Sequence, residues 1–557
     1  MSTMTGGEVV VRVLLRADVR KIFALHGAHV ETIFQSAIDH GIALIDTRHE
    51  VAAGHAAEGY ARSTRRLGVA LITAGPGFTN VITSIANAYL DRTPVLYLTG
   101  SAALRDAETN TLQAGIDQVA VVKPITKWAH QVTTPAQIAR LVAQAVRVAT
   151  SPPTGPVLLD IPIDVLTATL DEAAVKIPEA VLLDSIPAPQ EAAVAAACEL
   201  LRGAARPVLM LGAEAWRSNC GDELRRFVET SGIPVYSDFQ AHGLLPADHP
   251  LYGGTFHKMD DLTARGARPD VVLALGVRFG LFTLGGSDRL VPAAAKLIHV
   301  EVDPREIGRL REVALPILAD CRATLQALNR LATQQPWPDH TNWQQAVSGA
   351  RAERARRVAA AASSTATPIH PYRAVAAVAD TIDADTIVIG DGAEAYHWLN
   401  EVIRQQRAGS YLTHGFLGCV GFGLGLAIGA QIGHPARRVV CVTGDGAVGF
   451  TIAEFDTMVR HKLPIVVVVM NNGSWAASQH FQEMVSGAER VSGTRLGNAR
   501  YHEVAAGFGC HTQRVTKLAE LAPALKAALA SGLPACLDVL IDVTPVPPEI
   551  EMLMSRH

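Results

Sequence analysis

Short runs of apolar, mostly β-branched residues recur along the chain, and each stops on Gly, Asp or Pro. In the first third they are "KIFALHG", "IALID", "VALITAG", "PVLYLTG" and "PVLLDIP". Between them lie amphipathic stretches of helical period, among them "VETIFQSAIDHG" and "EVAAGHAAEGYAR". A strand with one wet face would alternate apolar and polar positions. Continuous apolar strands separated by helices predict a parallel sheet covered on both faces. The pattern breaks at residues 166–190, where charges mix with prolines, and again at 331–368, which is rich in Gln, Ala and Arg. A second set of strands ("PVLMLG", "IPVYSD", "VVLALG", "LIHVEVD", "LPILAD") lies between the breaks. A third ("TIVIGDG", "SYLTHG", "RVVCVTGDG", "LPIVVVVMNN", "CLDVLIDV") follows them. The expectation is an α/β protein of three doubly wound parallel-sheet domains: residues 1–175, a central domain at 190–335, and 365–550. Ligands of such sheets bind at the carboxyl ends of the strands.

Composition narrows the classes. Hydrophobic residues make up 49% and charged residues 18% of the 557, enough for large cores and too apolar for wholesale disorder. The 49 basic and 53 acidic residues are mixed, with no basic block for nucleic acid. Cysteines at 198, 220, 321, 419, 441, 510 and 536 form no CxxC pair, so free thiols in a reducing cytoplasm are expected. The N-terminal "MSTMTGGEVVVRVLLRADV" is interrupted by polar residues, unlike a signal peptide, and no run reaches the length of a membrane span.

The chemistry concentrates in "VVCVTGDGAVGF" at 439–450 and "LPIVVVVMNN" at 463–472. With the helical "IAEFDTMVRH" between them they form a βαβ unit, whose strands run parallel. If the strands are neighbours, Asp445 and Asn472, 27 positions apart (472 − 445), project from one sheet edge. A carboxylate and an amide oxygen suit a hard cation that takes further oxygens from phosphates. Gly444 and Gly446 let backbone amides approach such a phosphate. Ser474 can add its backbone carbonyl. A strand-end turn would use the same letters, and "VIGDG" at 388–392 repeats them with no Asn pair 27 residues on. That copy is not a metal site by this reasoning, although Gly392 stays within reach of a phosphate.

GDG followed at this interval by NN resembles the magnesium–diphosphate motif of thiamine-diphosphate enzymes. The resemblance implies Mg²⁺ on Asp445, Asn472 and Ser474, with Trp475 beside the cofactor. It implies Glu50, at the start of a helix, sharing a proton with the aminopyrimidine ring to activate the thiazolium carbon. The turn in "VALITAGPGFTN" resembles the Gly-Pro-Gly turn of the acetolactate synthase branch and brings Gly75 to the cofactor. By the same resemblance, in "THGFLGCVGFGLGLAIGA" Gly418 accepts from the amino group and Val420 wedges the cofactor into a bent form. "LHGAHVETIFQ", "ETNTLQAGIDQ" and "MNNGSWAASQHF" are most similar to the benzaldehyde lyase branch. That similarity implies a C–C lyase and carboligase of the aldehyde-lyase type. Such an enzyme cleaves benzoin-type 2-hydroxy ketones to aldehydes and joins aldehydes to acyloins. His29 and Gln113 would then act at the reacting oxygens, and Leu25, His26, Ala28, Leu112, Ile163, Tyr396, Ala477 and Phe481 would line the substrate pocket. Ile163 and Val420 are smaller than that branch carries, so the pocket is expected to be reshaped. The family also implies a homo-oligomer, a tetramer by expectation, with active sites at a dimer interface. Two alternatives stay open: a 2-keto-acid carboligase or decarboxylase of acetolactate synthase type, and a 2-hydroxyacyl-CoA lyase. A structural FAD in the central domain is also left open.

Overall fold

A computed structural model describes residues 2–183, 185–281, 283, 287–363, 367–497 and 499–554. Three six-stranded sheets of parallel neighbours fall within residues 21–162, 207–318 and 387–540. The runs above supply the four interior strands of each sheet and one of its two edges. Counted in chain order within each domain, the N-terminal and C-terminal sheets share one strand order, 2-1-3-4-6-5. The central sheet is 3-2-1-4-5-6. In the outer two domains the order reverses between strands 1 and 3, which places a crevice at their carboxyl ends.

Each domain holds one strand that its apolar pattern does not announce: Trp128–Gln131, Tyr252–Thr255 and His511–Val515. All three are edge strands. Trp128–Gln131 and most of His511–Val515 are half-exposed, so they need no continuous apolar run. Tyr252–Thr255 is buried, but two of its four residues are Gly. The first break carries a short strand, Thr169–Asp171, paired antiparallel with Thr3–Thr5. The second break, expected as a plain connector, contains the 21-residue helix Thr341–Ala361. Its Arg354 is buried and pairs with Asp261 and Glu401.

The outer domains share a core. One apolar cluster runs from Phe23, Ala56, Tyr60 and Ile85 to Leu426, Ile428, Val448 and Phe455. The seam is helix Glu50–Thr64 against helix Gly423–Gly433. A Cβ on Gly429 would lie 1.9 Å from the Ala56 carbonyl oxygen, and one on Gly59 2.3 Å from that of Leu426. These glycines are there for close approach of two backbones. The seven cysteines are free. No described helix is long and apolar enough to cross a membrane.

Candidate active site

Strand Val439–Gly444 lies between Ile387–Asp391 and Val466–Asn471. Its end therefore brings Asp445 between Gly392 on one neighbour and Asn472 on the other, at the crevice of the C-terminal sheet. Asp445 is 2% exposed; its Oδ1 accepts from the Gly446 amide at 3.0 Å and its Oδ2 from the Gly473 amide at 2.8 Å. Burial pushes its carboxyl up to about 6. The two asparagines divide their work. Asn471 is buried and donates to Asp538 at 2.8 Å and to the Ala499 carbonyl at 3.1 Å, bracing the sheet. Asn472 lines the cavity, its Oδ1 accepting from the Ser474 amide at 3.0 Å. The Ser474 hydroxyl turns inward to Gln479 at 2.7 Å, so its backbone carbonyl is what it can offer a cation.

The cavity, ≈ 190 Å³, is lined by Gly392, Val420, Gly444, Asp445, Gly446, Asn472, Ser474, Trp475 and Ala477 among others. A Cβ on Gly444 would meet nothing within 4 Å, whereas on Gly446 it would lie 2.6 Å from the Trp475 ring. Bare backbone at two strand ends, one carboxylate and amide oxygens fit a diphosphate held through a hard cation. Among the described residues no group of three His, Cys, Asp or Glu is placed to hold a metal; phosphate oxygens and water are the usual further ligands of such a cation.

The other GDG does different work. Asp391 is fully buried and accepts from the Gly421 and Gly423 amides, both at 3.0 Å, and from Thr443 at 3.3 Å. It braces the segment carrying Gly418 (φ +67°) and Val420. No signal in the sequence separates this brace from Asp445 except the missing Asn pair.

A second group of residues gathers at the carboxyl edge of the N-terminal sheet. Glu50 opens helix Glu50–Thr64, is 8% exposed, and accepts from Asn80 Nδ2 at 2.9 Å. Asn80 stands on helix Pro76–Leu90, launched by Gly75 at φ +65°, ψ −115°, with Pro76 at its first position. A Cβ on Gly75 would lie 2.9 Å from that of Gln113, which is itself at φ +63°. His29 Nδ1 is 3.3 Å from Thr73 Oγ1, and burial lowers its pKa, which keeps the imidazole neutral near pH 7. Thr73 and Asn80 both belong to the stretch "VALITAGPGFTN", but nothing in its letters says that they face His29 and Glu50.

The expected pocket residues scatter. Ala477 lines the cavity; Leu25 and Ile163 are half-buried and Ala28 exposed. His26 is exposed and bound to Glu31 at 2.5 Å. Leu112 is 88% exposed and Phe481 51%. Tyr396 is not among the cavity-lining residues: it is 1% exposed and packs against Phe239 and His414 in the core of the C-terminal domain. Every residue lining this cavity lies beyond position 370, so Glu50, His29 and Gln113 of the same chain are not among them.

Three family models match, described as the N-terminal TPP binding domain, the central domain and the C-terminal TPP binding domain of thiamine pyrophosphate enzymes. They cover residues 4–121, 194–328 and 391–539. The chain belongs to the thiamine-pyrophosphate enzymes. A probable acetolactate synthase of Mycobacterium bovis is 35% identical over 97% of this chain and 96% of its own length. The acetolactate synthase isozyme 2 large subunit of Escherichia coli is 31% identical over 97% and 96%, and the oxalyl-CoA decarboxylase of the same organism 31% over 97% and 95%.

Proposed function

We propose that this enzyme makes and breaks a C–C bond beside a carbonyl carbon, with thiamine diphosphate held through Mg²⁺. The observation that carries the reading is the pairing of Asp445 with Asn472 across adjacent strand ends, facing the glycine cradle. Asp445, Asn472 and the Ser474 carbonyl would hold the cation, and the amides around Gly392 and Gly444 would meet the phosphates. When bound, the cofactor supplies a nucleophilic thiazolium carbon. Glu50, buried and steadied by Asn80, would meet the pyrimidine ring and share a proton with its nitrogen. Neutral His29 can take a proton from a substrate oxygen and, once protonated, return it, and Gln113 can donate a hydrogen bond to that oxygen. Because Glu50 of the same chain does not line the cavity, the working site would be completed by a second copy, giving a dimer at least and a tetramer by pairing of dimers.

The relatives' names favour 2-keto acids as substrates, joined with loss of carbon dioxide. A second reading, cleavage and ligation of acyloins such as benzoin, is favoured by the site. Exposed Ala28 beside His29 brings neither a hydroxyl nor a charge to the reacting carbon. Purified protein with thiamine diphosphate and Mg²⁺ separates them. Carbon dioxide release from pyruvate or benzoylformate supports the first, and benzaldehyde release from benzoin the second. Activity on none of these substrates, or activity independent of thiamine diphosphate, would sink the proposal.

A further inference from the structure

Glu454 stands at the start of helix Glu454–Arg460 in the C-terminal domain and is 0% exposed. Both its carboxylate oxygens accept from the backbone amide of Arg48, at 3.2 Å each, and the His49 amide also faces it. The Thr457 hydroxyl donates to Oε2 at 2.6 Å. Residues 48 and 49 belong to the other domain, and the next residue is Glu50, the first of its helix. Amides at a helix start are among the donors that a helix leaves unpaired, and an anion is favoured there.

The neighbours tie the same few residues down. Asp46 pairs with Arg460 and, at 2.9 Å, with His461; Arg48 lies 3.6 Å from Asp456. The Thr47 amide donates to the Ala24 carbonyl at 3.0 Å and its hydroxyl to the His49 carbonyl at 2.9 Å. The Asp46 pairs are half-exposed and so weakly fixing. Glu454 is the buried member, where an acceptor left without donors is costly and the geometry correspondingly rigid.

We propose that Glu454 is a positioning residue for Glu50: through the amides of residues 48 and 49 it fixes where the Glu50 carboxylate stands. It touches neither substrate nor cofactor. The inference rests on the proposed role of Glu50 and adds a carboxylate that this role does not otherwise need.

The test follows proton exchange at the thiazolium carbon of bound thiamine diphosphate, by NMR after quenching in heavy water, beside cofactor affinity from tryptophan fluorescence and the melting temperature. Glu454→Ala is expected to slow exchange by about tenfold to a hundredfold, the scale of a misplaced catalytic group. Cofactor affinity should stay within about twofold, because the diphosphate is held elsewhere. Glu454→Gln, which keeps an acceptor oxygen, should recover most of the rate. In a Glu50→Gln background, removing Glu454 should slow exchange no further, because the two act as one unit. Equal slowing in both backgrounds would overturn the proposal. So would unchanged exchange in the cofactor-loaded Glu454→Ala protein, even if its melting temperature fell. If the alanine variant does not fold, Glu454→Asp, one methylene shorter, takes its place with the same criteria. Wild-type protein that binds the cofactor without accelerating exchange would instead defeat the role of Glu50 itself.

Discussion

At the scale of single residues, Asp391 and Asp445 show how little a local motif says. Both follow an apolar strand and precede Gly, both are buried, and their strands are neighbours. Asp391 spends its oxygens on the Gly421 and Gly423 amides and on Thr443; Asp445 faces the cavity. Their substitutions should diverge. Asp445→Ala should abolish magnesium-dependent binding of thiamine diphosphate, read by fluorescence titration on the folded protein, beyond the stability lost with the acceptor of the Gly446 and Gly473 amides. Asp391→Ala should lower stability by about 1–3 kcal/mol for each amide left without an acceptor, read by denaturant unfolding. At the N-terminal edge, Glu50→Gln should reduce turnover by roughly 10²–10⁴-fold, the usual contribution of a positioned proton-transfer group, with cofactor affinity retained. An unchanged rate in that variant would remove Glu50 from the chemistry.

At the scale of elements, the seam between helices Glu50–Thr64 and Gly423–Gly433 decides where Glu50 stands. The sequence shows small residues spaced through both segments, which states close packing without saying against what. The partner turns out to be the other helix, one from each outer domain. Gly429→Val would drive side-chain carbons into the Ala56 backbone, which cannot rotate away. The expected cost is about 1–3 kcal/mol or more. Activity should fall too, since the helix headed by Glu50 must move; a melting curve and a turnover assay on one sample test both. Strands obey the same division. Interior strands announce themselves because both faces are dry; half-exposed edge strands are mixed, Ala43–Asp46 and Leu315–Leu318 reading as apolar runs and Trp128–Gln131 not.

At the scale of the whole molecule, the absence of Glu50 from the lining of its own chain's Asp445 cavity predicts complementation. Glu50→Gln and Asp445→Ala should each be inactive alone. Mixed by unfolding and refolding together, they should regain about a quarter of wild-type activity, since half of randomly formed dimers are hybrids with one intact site of two. No recovery would mean that both residues serve one site from one chain. The molecule should also weaken in acid. Burial, with Lys258 and Arg351 nearby, pushes His242 down to about 3, and burial brings His414 to about 4. Both are neutral when folded but take up protons when unfolded below about pH 6.5. Their stabilisation is therefore complete above that pH and is lost as pH falls toward 4, at about 1.4 kcal/mol per unit for each group. A melting-temperature profile from pH 7 to 4 should be shallower in His242→Gln than in wild type.

The sequence by itself determined the three α/β domains and the interior strands, and it put Asp445 and Asn472 at the ends of the two parallel strands of one βαβ unit. Each is written in local order: a dry strand needs an unbroken apolar run, and a βαβ unit fixes the direction of its two strands. Only the tertiary structure decided which strands are neighbours, that the outer sheets reverse order at the two sites, and that Asp391 is a brace. It also brought Asn80 to Glu50, buried Tyr396 away from the cavity, and set Glu454 on the amides before Glu50. Those contacts join residues far apart in the chain, and what a carboxylate does depends on the donors that face it.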